Sequence, residues 1–483
     1  MITGDFIGVD FGTTNTAVVF VKKDEYGEQV IPLTDSGYPF ASLLAIYSDH
    51  VDFGNNVKKY RENISSDCKI ISSFKSLLGT EKTIAVNGNT FTAKQIVAKY
   101  FECVKQFIQE KHSIEIKEAS LSFPVDFTPE ARQELREAAL AAGITVNNMV
   151  SESTAAYLAT YNQLKGLSRV MVIDWGGGTL DISILEVENK KVREVSVYGA
   201  KIGGDDIDRE LAERVHSMLN LKCEDRSKCV QFREMPAEQQ AKMICACEKA
   251  KIQISELSDN YLLTIRDYGE YGTKTIPISF ELFEDIVKPI IRNRVLTVIN
   301  DAMERAEFSK ASIDAVIIAG GSSNLRTFEN AILNLFGDEK VILPDNIQFV
   351  SAKGAALMPF IGGNFKLNDG IGIVMSDDTV YPIFQKDVDG VGSEIGPYTF
   401  SLTEDSYDAH FIFTNSNGRF VYEKINIPTK GFLKERLTVT ANITDDQIAN
   451  IKIHSSAVPD KLKDHTVKIK NLTYHYDLSE FDN

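Results

Sequence analysis

Two stretches of this sequence end an apolar run in an acid, a glycine turn and threonine hydroxyls. Ile7 to Thr16 reads I-G-V-D-F-G-T-T-N-T, and Val172 to Asp181 reads V-I-D-W-G-G-G-T-L-D. A strand that stops in such a turn can aim successive backbone amides at a phosphate group, and glycine lets the backbone come close. Asp10 and Asp174, facing each other across a cleft, would suit a magnesium ion held through its waters, because Mg2+ prefers six oxygens and dehydrates reluctantly. The amides of Gly12, Thr13 and Thr14 and of Gly176, Gly177, Gly178 and Thr179 would then donate to the β- and γ-phosphates. Thr13 and Thr179 add hydroxyls. Lys75 would set positive charge against the transferred phosphoryl group, and a carboxylate such as Glu152 or Asp181 would orient or deprotonate the attacking water. Each item alone has a plainer reading: a hairpin turn, a solvated lysine, an acid placed comfortably at a helix start. Their conjunction carries the weight.

The elements that must position these residues follow from periodicity. Ile7 to Val21, Val30 to Leu33 and Phe40 to Tyr47 read as strands, with a hairpin turn at Asp24 to Gly27. Lys69 to Leu78 has apolar residues at helical spacing and stops at Gly79, which predicts Lys75 on a short helix or its exit. Thr92 to Lys111 is a helix with Ile96, Val97, Tyr100, Phe101, Val104 and Phe107 as its core stripe. Ala119 to Phe123 is a strand stopped by Pro124, and Thr128 caps a helix with Pro129 at its first position and Gly143 past its end. A further helix over Ser151 to Gly166 presents Glu152 near its start. The strands of the second glycine turn continue through Ile184 and Val187 and into Val195 to Tyr198. Hairpin strands followed by helices thus occur twice, predicting two α/β halves of common design.

Helices are predicted over Asp205 to Leu221, Ala237 to Leu257, Phe280 to Phe308, Asn324 to Phe336 and Ser351 to Met358. A polar loop, Lys222 to Arg233, separates the first two, and a buried strand, Ile313 to Ala319, feeds Gly320 and Gly321. After Gly363 the texture changes. Val380 to Phe384, Thr399 to Leu402, His410 to Thr414, Arg419 to Ile427, Arg436 to Ile443, Ile451 to His454 and Val467 to Tyr476 all read as strands, several with apolar and polar residues alternating. Residues 1–363 are therefore expected to form one two-lobed domain, with lobes of about 1–165 and 166–363, and residues 364–483 a separate all-β module.

At 483 residues the chain exceeds one hydrophobic core. With 68 acids against 52 bases, the net charge of −16 argues against nucleic-acid binding, which needs a basic surface. Met1 to Val21 lacks a basic leader and no apolar run approaches spanning length, so a cytoplasmic protein without membrane contact is expected. Of the six cysteines, Cys223, Cys229, Cys245 and Cys247 cluster, but Cys245 and Cys247 lie two apart on a predicted helix and point to different faces. Reduced thiols are expected there in preference to zinc.

The first turn, V-S-E-S-T-A-A-Y-L-A from Val150, D-W-G-G-G-T-L-D-I-S, I-G-G-D-D-I-D from Ile202, C-E-K-A-K-I from Cys247 and A-G-G-S-S from Ala319 come in the order seen in the DnaK, or seventy-kilodalton heat-shock, chaperone family. The sequence resembles that family over about residues 5 to 360. The resemblance implies a duplicated actin-like, ribonuclease-H-like α/β domain that binds and slowly hydrolyses ATP, with ATP or ADP, Mg2+ and a K+ site. It makes Asp10 and Asp174 the magnesium-water acids, Lys75 the catalytic lysine, and Glu152, Thr179 and Asp181 the water-positioning and cation-site residues. Gly12, Thr13, Thr14, Asn15, Gly176, Gly177, Gly178, Gly204, Gly320, Gly321 and Ser322 would contact the nucleotide. Glu248, Lys251 and Ser255 would lie at the ribose and adenine, and Asp345 near the base.

Departures qualify these implications. Asn324 stands where relatives carry an arginine against the adenine, with Arg326 two residues on; Ser153 replaces a proline after Glu152; and N-F-K-L-N-D-G-I-G-I-V from Asn364 replaces an aspartate-flanked, leucine-rich linker. The β-rich module resembles the family's substrate-binding β-domain in position and strand content. Without a helical lid it is expected to hold peptides weakly or release them quickly. Two functions follow: an ATP-hydrolysing chaperone with unfolded peptides or protein clients and co-chaperones as partners, or a non-catalytic ATP-binding regulator or nucleotide-exchange partner of another chaperone.

Overall fold

The computed structural model describes residues 4–24, 27–35, 37–60, 68–221, 229–256, 259–431, 435–455 and 464–478. Cys223 and most of the predicted Lys222 to Arg233 loop lie outside the described residues.

The apolar runs around the two glycine turns become the centres of two sheets with the same layout. In the first, the strands run in the order Thr145–Ser151, Glu118–Phe123, Gly4–Phe11, Asn15–Asp24, Gly27–Pro32. In the second the order is Val341–Ile342, Ala315–Ala319, Arg169–Trp175, Leu180–Glu188, Lys191–Ala200. In each, the acid-bearing strand pairs antiparallel with its hairpin partner and parallel with the next strand, so Asp10 and Asp174 occupy equivalent places. The register also shows an asymmetry: Asp10 faces Ala17, whereas Asp174 faces Asp181.

Helix Ala93–His112, begun by a reciprocal Thr92–Gln95 cap, lays Ile96, Val97, Tyr100, Phe101, Val104 and Ile108 on the first sheet, where Phe11 is buried against Phe74, Tyr100 and Phe101. Helices Glu152–Leu164 and Val350–Ile361 lie between the two sheets and share a core with Val19, Val172 and Ile317. Small residues let them cross closely. A Cβ on Gly354 would stand 1.7 Å from the Ala155 carbonyl oxygen.

Lys75 sits on a short helix as expected, the 3-10 turn Phe74–Leu77 entered through Ser73 at φ 55°, but the helical spacing from Lys69 does not hold, since Lys69–Ser72 is a strand paired with Leu43–Ile46. Strand pairing claims the apolar alternation of Ile70 and Ile71 that had read as helical. The hairpin Asn260–Ile265 and Lys274–Ser279 and the strand Thr145–Ser151 went unpredicted.

The C-terminal module is a sandwich of two four-stranded antiparallel sheets. One is ordered Val380–Phe384, Ile371–Val374, Asp408–Asn415, Val421–Pro428, and the other Glu394–Ser401, Arg436–Ile443, Ala449–Ser455, Asp464–Ile469. Leu367, Phe413, Val439, Ile451 and Ile453 fill its core. The predicted strand Val467 to Tyr476 is in fact two strands. After Ile469 the chain leaves the sandwich, and Tyr474–Asp477 inserts between Lys191–Ala200 of the second lobe and Asn364–Leu367, extending that lobe's sheet to seven strands. The boundary expected at residue 363 therefore coincides with continuous sheet hydrogen bonding. Arg132 and Arg136 of the first lobe also reach the module, donating to the Asp446 carbonyl at 3.1 Å and to its carboxylate at 3.0 Å. Among the described residues no helix is long and apolar enough to cross a membrane.

Candidate active site

The two glycine turns face each other across the cleft between the lobes, so tightly that a Cβ on Gly177 would lie 2.5 Å from the Thr14 hydroxyl. Beneath them is a cavity of about 490 Å³ lined by Asp10, Gly12, Thr13, Lys75, Glu152, Asp174, Gly176, Gly178, Thr179, Asp181 and Gly320, among others. A second cavity of about 520 Å³ shares Thr14, Asn15, Gly177 and Gly321 with it and continues past Glu248, Lys251, Ser255, Ser322 and Asn324. Each has the size of a small-molecule site.

The inner cavity sets the acids Asp10, Glu152, Asp174 and Asp181 around the buried Lys75. Lys75 is 4% exposed and donates to Glu152 at 2.9 Å, with the Phe127 ring 5.3 Å from its ammonium. Burial works against that charge, but the carboxylates of Glu152, Asp10 and Asp181 overcome it and hold the lysine pKa above its ordinary value. Burial raises Glu152 well above the usual carboxylate range; Lys75 opposes this and Asp10 and Asp174 add to it. Asp174 is pushed up to about 7 by burial and by Asp10 and Asp181. Asp181 is pushed to about 6 by burial, offset by the Thr179 hydroxyl that donates to it. Asp10 is held by the Ser122 hydroxyl at 2.9 Å, a residue the sequence reading did not single out.

The outer cavity is closed by Lys58, which reaches across the cleft to Glu248 at 2.6 Å. Lys251 spans Asp208 at 2.7 Å and the Gly204 carbonyl at 2.9 Å, and Ser322 donates to the Gly176 carbonyl at 2.7 Å, fixing the turn from behind. Tyr38, Ile252, Tyr261 and Leu325 supply apolar walls. Asp345 stands on an exposed turn outside both cavities, and Gln348 lines them instead. Arg326 does not take the place left by Asn324: its guanidinium donates to the Ile254 carbonyl and to Asp259, both at 3.2 Å, over the Phe280 ring. Apart from Asp345, the predicted site residues gather in or against one continuous cleft. Lys58, Ile252 and Gln348 were missed because, taken singly, each reads as an ordinary surface or core residue.

A sequence model of the Hsp70 protein family matches residues 57–377. The chain belongs to the Hsp70 family. It is 27% identical over 363 residues to the chaperone protein DnaK of Ureaplasma urealyticum serovar 10, covering 72% of this chain and 57% of that one. It is 29% identical over 388 residues to the DnaK of Thermosipho melanesiensis, covering 77% and 62%. Against the DnaK of Mycoplasmopsis agalactiae it is 28% identical over 359 residues, covering 73% and 58%. The chain thus spans about three fifths of the length of the curated relatives it matches. Its paired sheets have the actin-like Hsp70 architecture, with an all-β module following.

Proposed function

We propose that this Hsp70 binds Mg-ATP in the interlobe cleft, hydrolyses it slowly, and uses residues 364–483 as a module that grips an extended peptide or protein client. The carrying observation is the buried Lys75–Glu152 pair at 2.9 Å inside a ring of Asp10, Asp174 and Asp181, framed by two glycine turns. Asp10 and Asp174 fit Mg2+ held through its waters, since burial and then the nearby Asp10 and Asp181 charges raise Asp174, and a cation there would relieve the repulsive part. The ion when bound neutralises phosphate charge. The amides of Gly12 to Asn15 and Gly177 to Thr179 bind phosphate oxygens, the expected Gly176 amide being already donated to the Thr179 carbonyl at 2.9 Å, and Lys75 stabilises charge on the transferred group. Glu152, its basicity raised by burial, accepts the proton of the attacking water. Thr179 and Asp181, joined by the hydrogen bond from the Thr179 hydroxyl, would hold a K+ ion beside the phosphates. The base rests between Ile252, Tyr261 and Leu325, with Asn324 in the lining.

A second reading, a non-catalytic partner of another chaperone, draws on one observation. The module is built into the second lobe's sheet at both of its described ends, which restrains it from moving with nucleotide. A fluorescent-peptide assay in ATP and in ADP separates the two. Affinity that changes with nucleotide supports the chaperone reading. Absence of peptide binding in both states, with accelerated ADP release from a DnaK-type partner, supports the second.

A further inference from the structure

Glu194 stands on the strand Lys191–Ala200, and three hydroxyls converge on a single oxygen of its carboxylate. Ser151, Ser153 and Thr154 all donate to Oε1, Ser153 at 2.5 Å and Thr154 at 3.1 Å. These hydroxyls come from the cap and first turn of helix Glu152–Leu164, whose first residue is the carboxylate that binds Lys75. Ser151 also accepts from the Thr154 amide at 3.2 Å, so cap and clamp share an atom. A carboxylate at a helix N-terminus is favoured by the helix dipole, and charge-assisted bonds fix geometry more firmly than neutral ones. Ser153 takes the position where the family resemblance implies a proline, and a proline has no hydroxyl to give.

Glu194 is also tied to the β-module. Its strand pairs at Lys191 and Val192 with the terminal strand Tyr474–Asp477. Its charge is among those that support the buried Arg132 guanidinium, which donates to Asp446.

We propose that Glu194 is a positioning residue: it fixes the first turn of helix Glu152–Leu164 so that Glu152 meets Lys75, and it ties that turn to the strand on which the β-module is fastened. This rests on the hydrolytic reading above. The test is steady-state ATP turnover and equilibrium nucleotide affinity in Glu194→Ala and Glu194→Gln. Displacing a catalytic group by about 1 Å costs up to about 100-fold, and Glu194→Ala is expected to lower kcat by about tenfold or more with KM unchanged. Glu194→Gln keeps a carbonyl acceptor in place and should recover most of that loss, which a purely structural deletion would not predict. Should Glu194→Ala not fold, Ser153→Ala removes one donor and is expected to lower kcat by a smaller factor, again at constant KM. Unchanged kcat in the foldable variant, or Glu194→Gln no better than Glu194→Ala, overturns the proposal. Absence of turnover in the wild type overturns the hydrolytic reading instead. The ratio of ATP to ADP affinity then decides on Glu194, since only ATP carries the phosphoryl group next to Lys75: a ratio lost in Glu194→Ala and kept in Glu194→Gln supports the proposal, and an unchanged ratio refutes it.

Discussion

Across the cleft the lobes meet through long side chains and opposed turns, with Lys58 reaching Glu248 at 2.6 Å and Gly177 pressed against Thr14. At the β-module they are joined by different means. There the second lobe gains two whole strands, Tyr476 is fully buried against Phe365 with ring centres 5.0 Å apart, and the Leu478 amide closes on the Lys190 carbonyl at 2.9 Å. Side-chain pairs in partial contact with water are cheap to part, whereas a strand inserted in a sheet is not. The contrast teaches that the lobes part at the cleft at less cost than the module parts from the second lobe. On the proposed function, a nucleotide signal would have to pass through this fastened joint, where Arg132 donates to Asp446, in place of free swinging of the module.

The largest effect that would break this comparison is on the joint. Tyr476→Ala removes a fully buried aromatic and is expected to destabilise the protein by about 3 to 5 kcal/mol in urea denaturation; a loss below about 1 kcal/mol would show that the inserted strand does not hold the module. Asp446→Ala should cost about 2 kcal/mol, because it strips the charged partner of Arg136 and disturbs the buried Arg132. Double-mutant cycles with Arg136→Ala should show that the two changes are not additive.

On the cleft side the expected effects are smaller. The raised pKa values of Asp174, about 7, and Asp181, about 6, mean that the empty folded protein binds more protons than the unfolded chain between the ordinary carboxylate range and neutrality. Stability of the nucleotide-free protein should therefore rise as pH falls from about 8 to about 5. Mg-ATP should flatten that slope by favouring the charged carboxylates. Thermal melts with and without nucleotide check both statements, and a slope of opposite sign without nucleotide contradicts the acid ring. Least costly is Lys58→Ala, expected to change stability by less than about 1 kcal/mol, since the pair is partly exposed. It should nonetheless speed nucleotide release measured by stopped-flow fluorescence, and unchanged release would remove Lys58 from closure.

The same contrast explains what could be read in the sequence. The cleft depends on residue types that few other arrangements use together, Asp10 and Asp174 before glycine turns and Glu152 at a helix start, so the gathering of these residues was legible, as were the duplicated sheets that carry them. The short helix that carries Lys75 was legible and the strand before it, Lys69–Ser72, was not, because pairing with Leu43–Ile46 is a long-range contact that local periodicity does not encode. The joint was illegible for a similar reason. Backbone hydrogen bonds are made by every residue type, and N-F-K-L and Y-H-Y-D carry no mark of the sheet that will accept them. Ser153 was visible as a substitution, but its partner Glu194 lies 41 positions away on another strand.

The central claim, that the acid-ringed lysine of the cleft acts on ATP, is tested most directly by phosphate release from Mg-ATP by the wild type and by Lys75→Ala. Removing one such electrostatic donor costs about 100- to 1,000-fold in comparable sites, so the variant should lose turnover on that scale while its ADP affinity stays the same. Equal turnover in the two proteins would contradict the account.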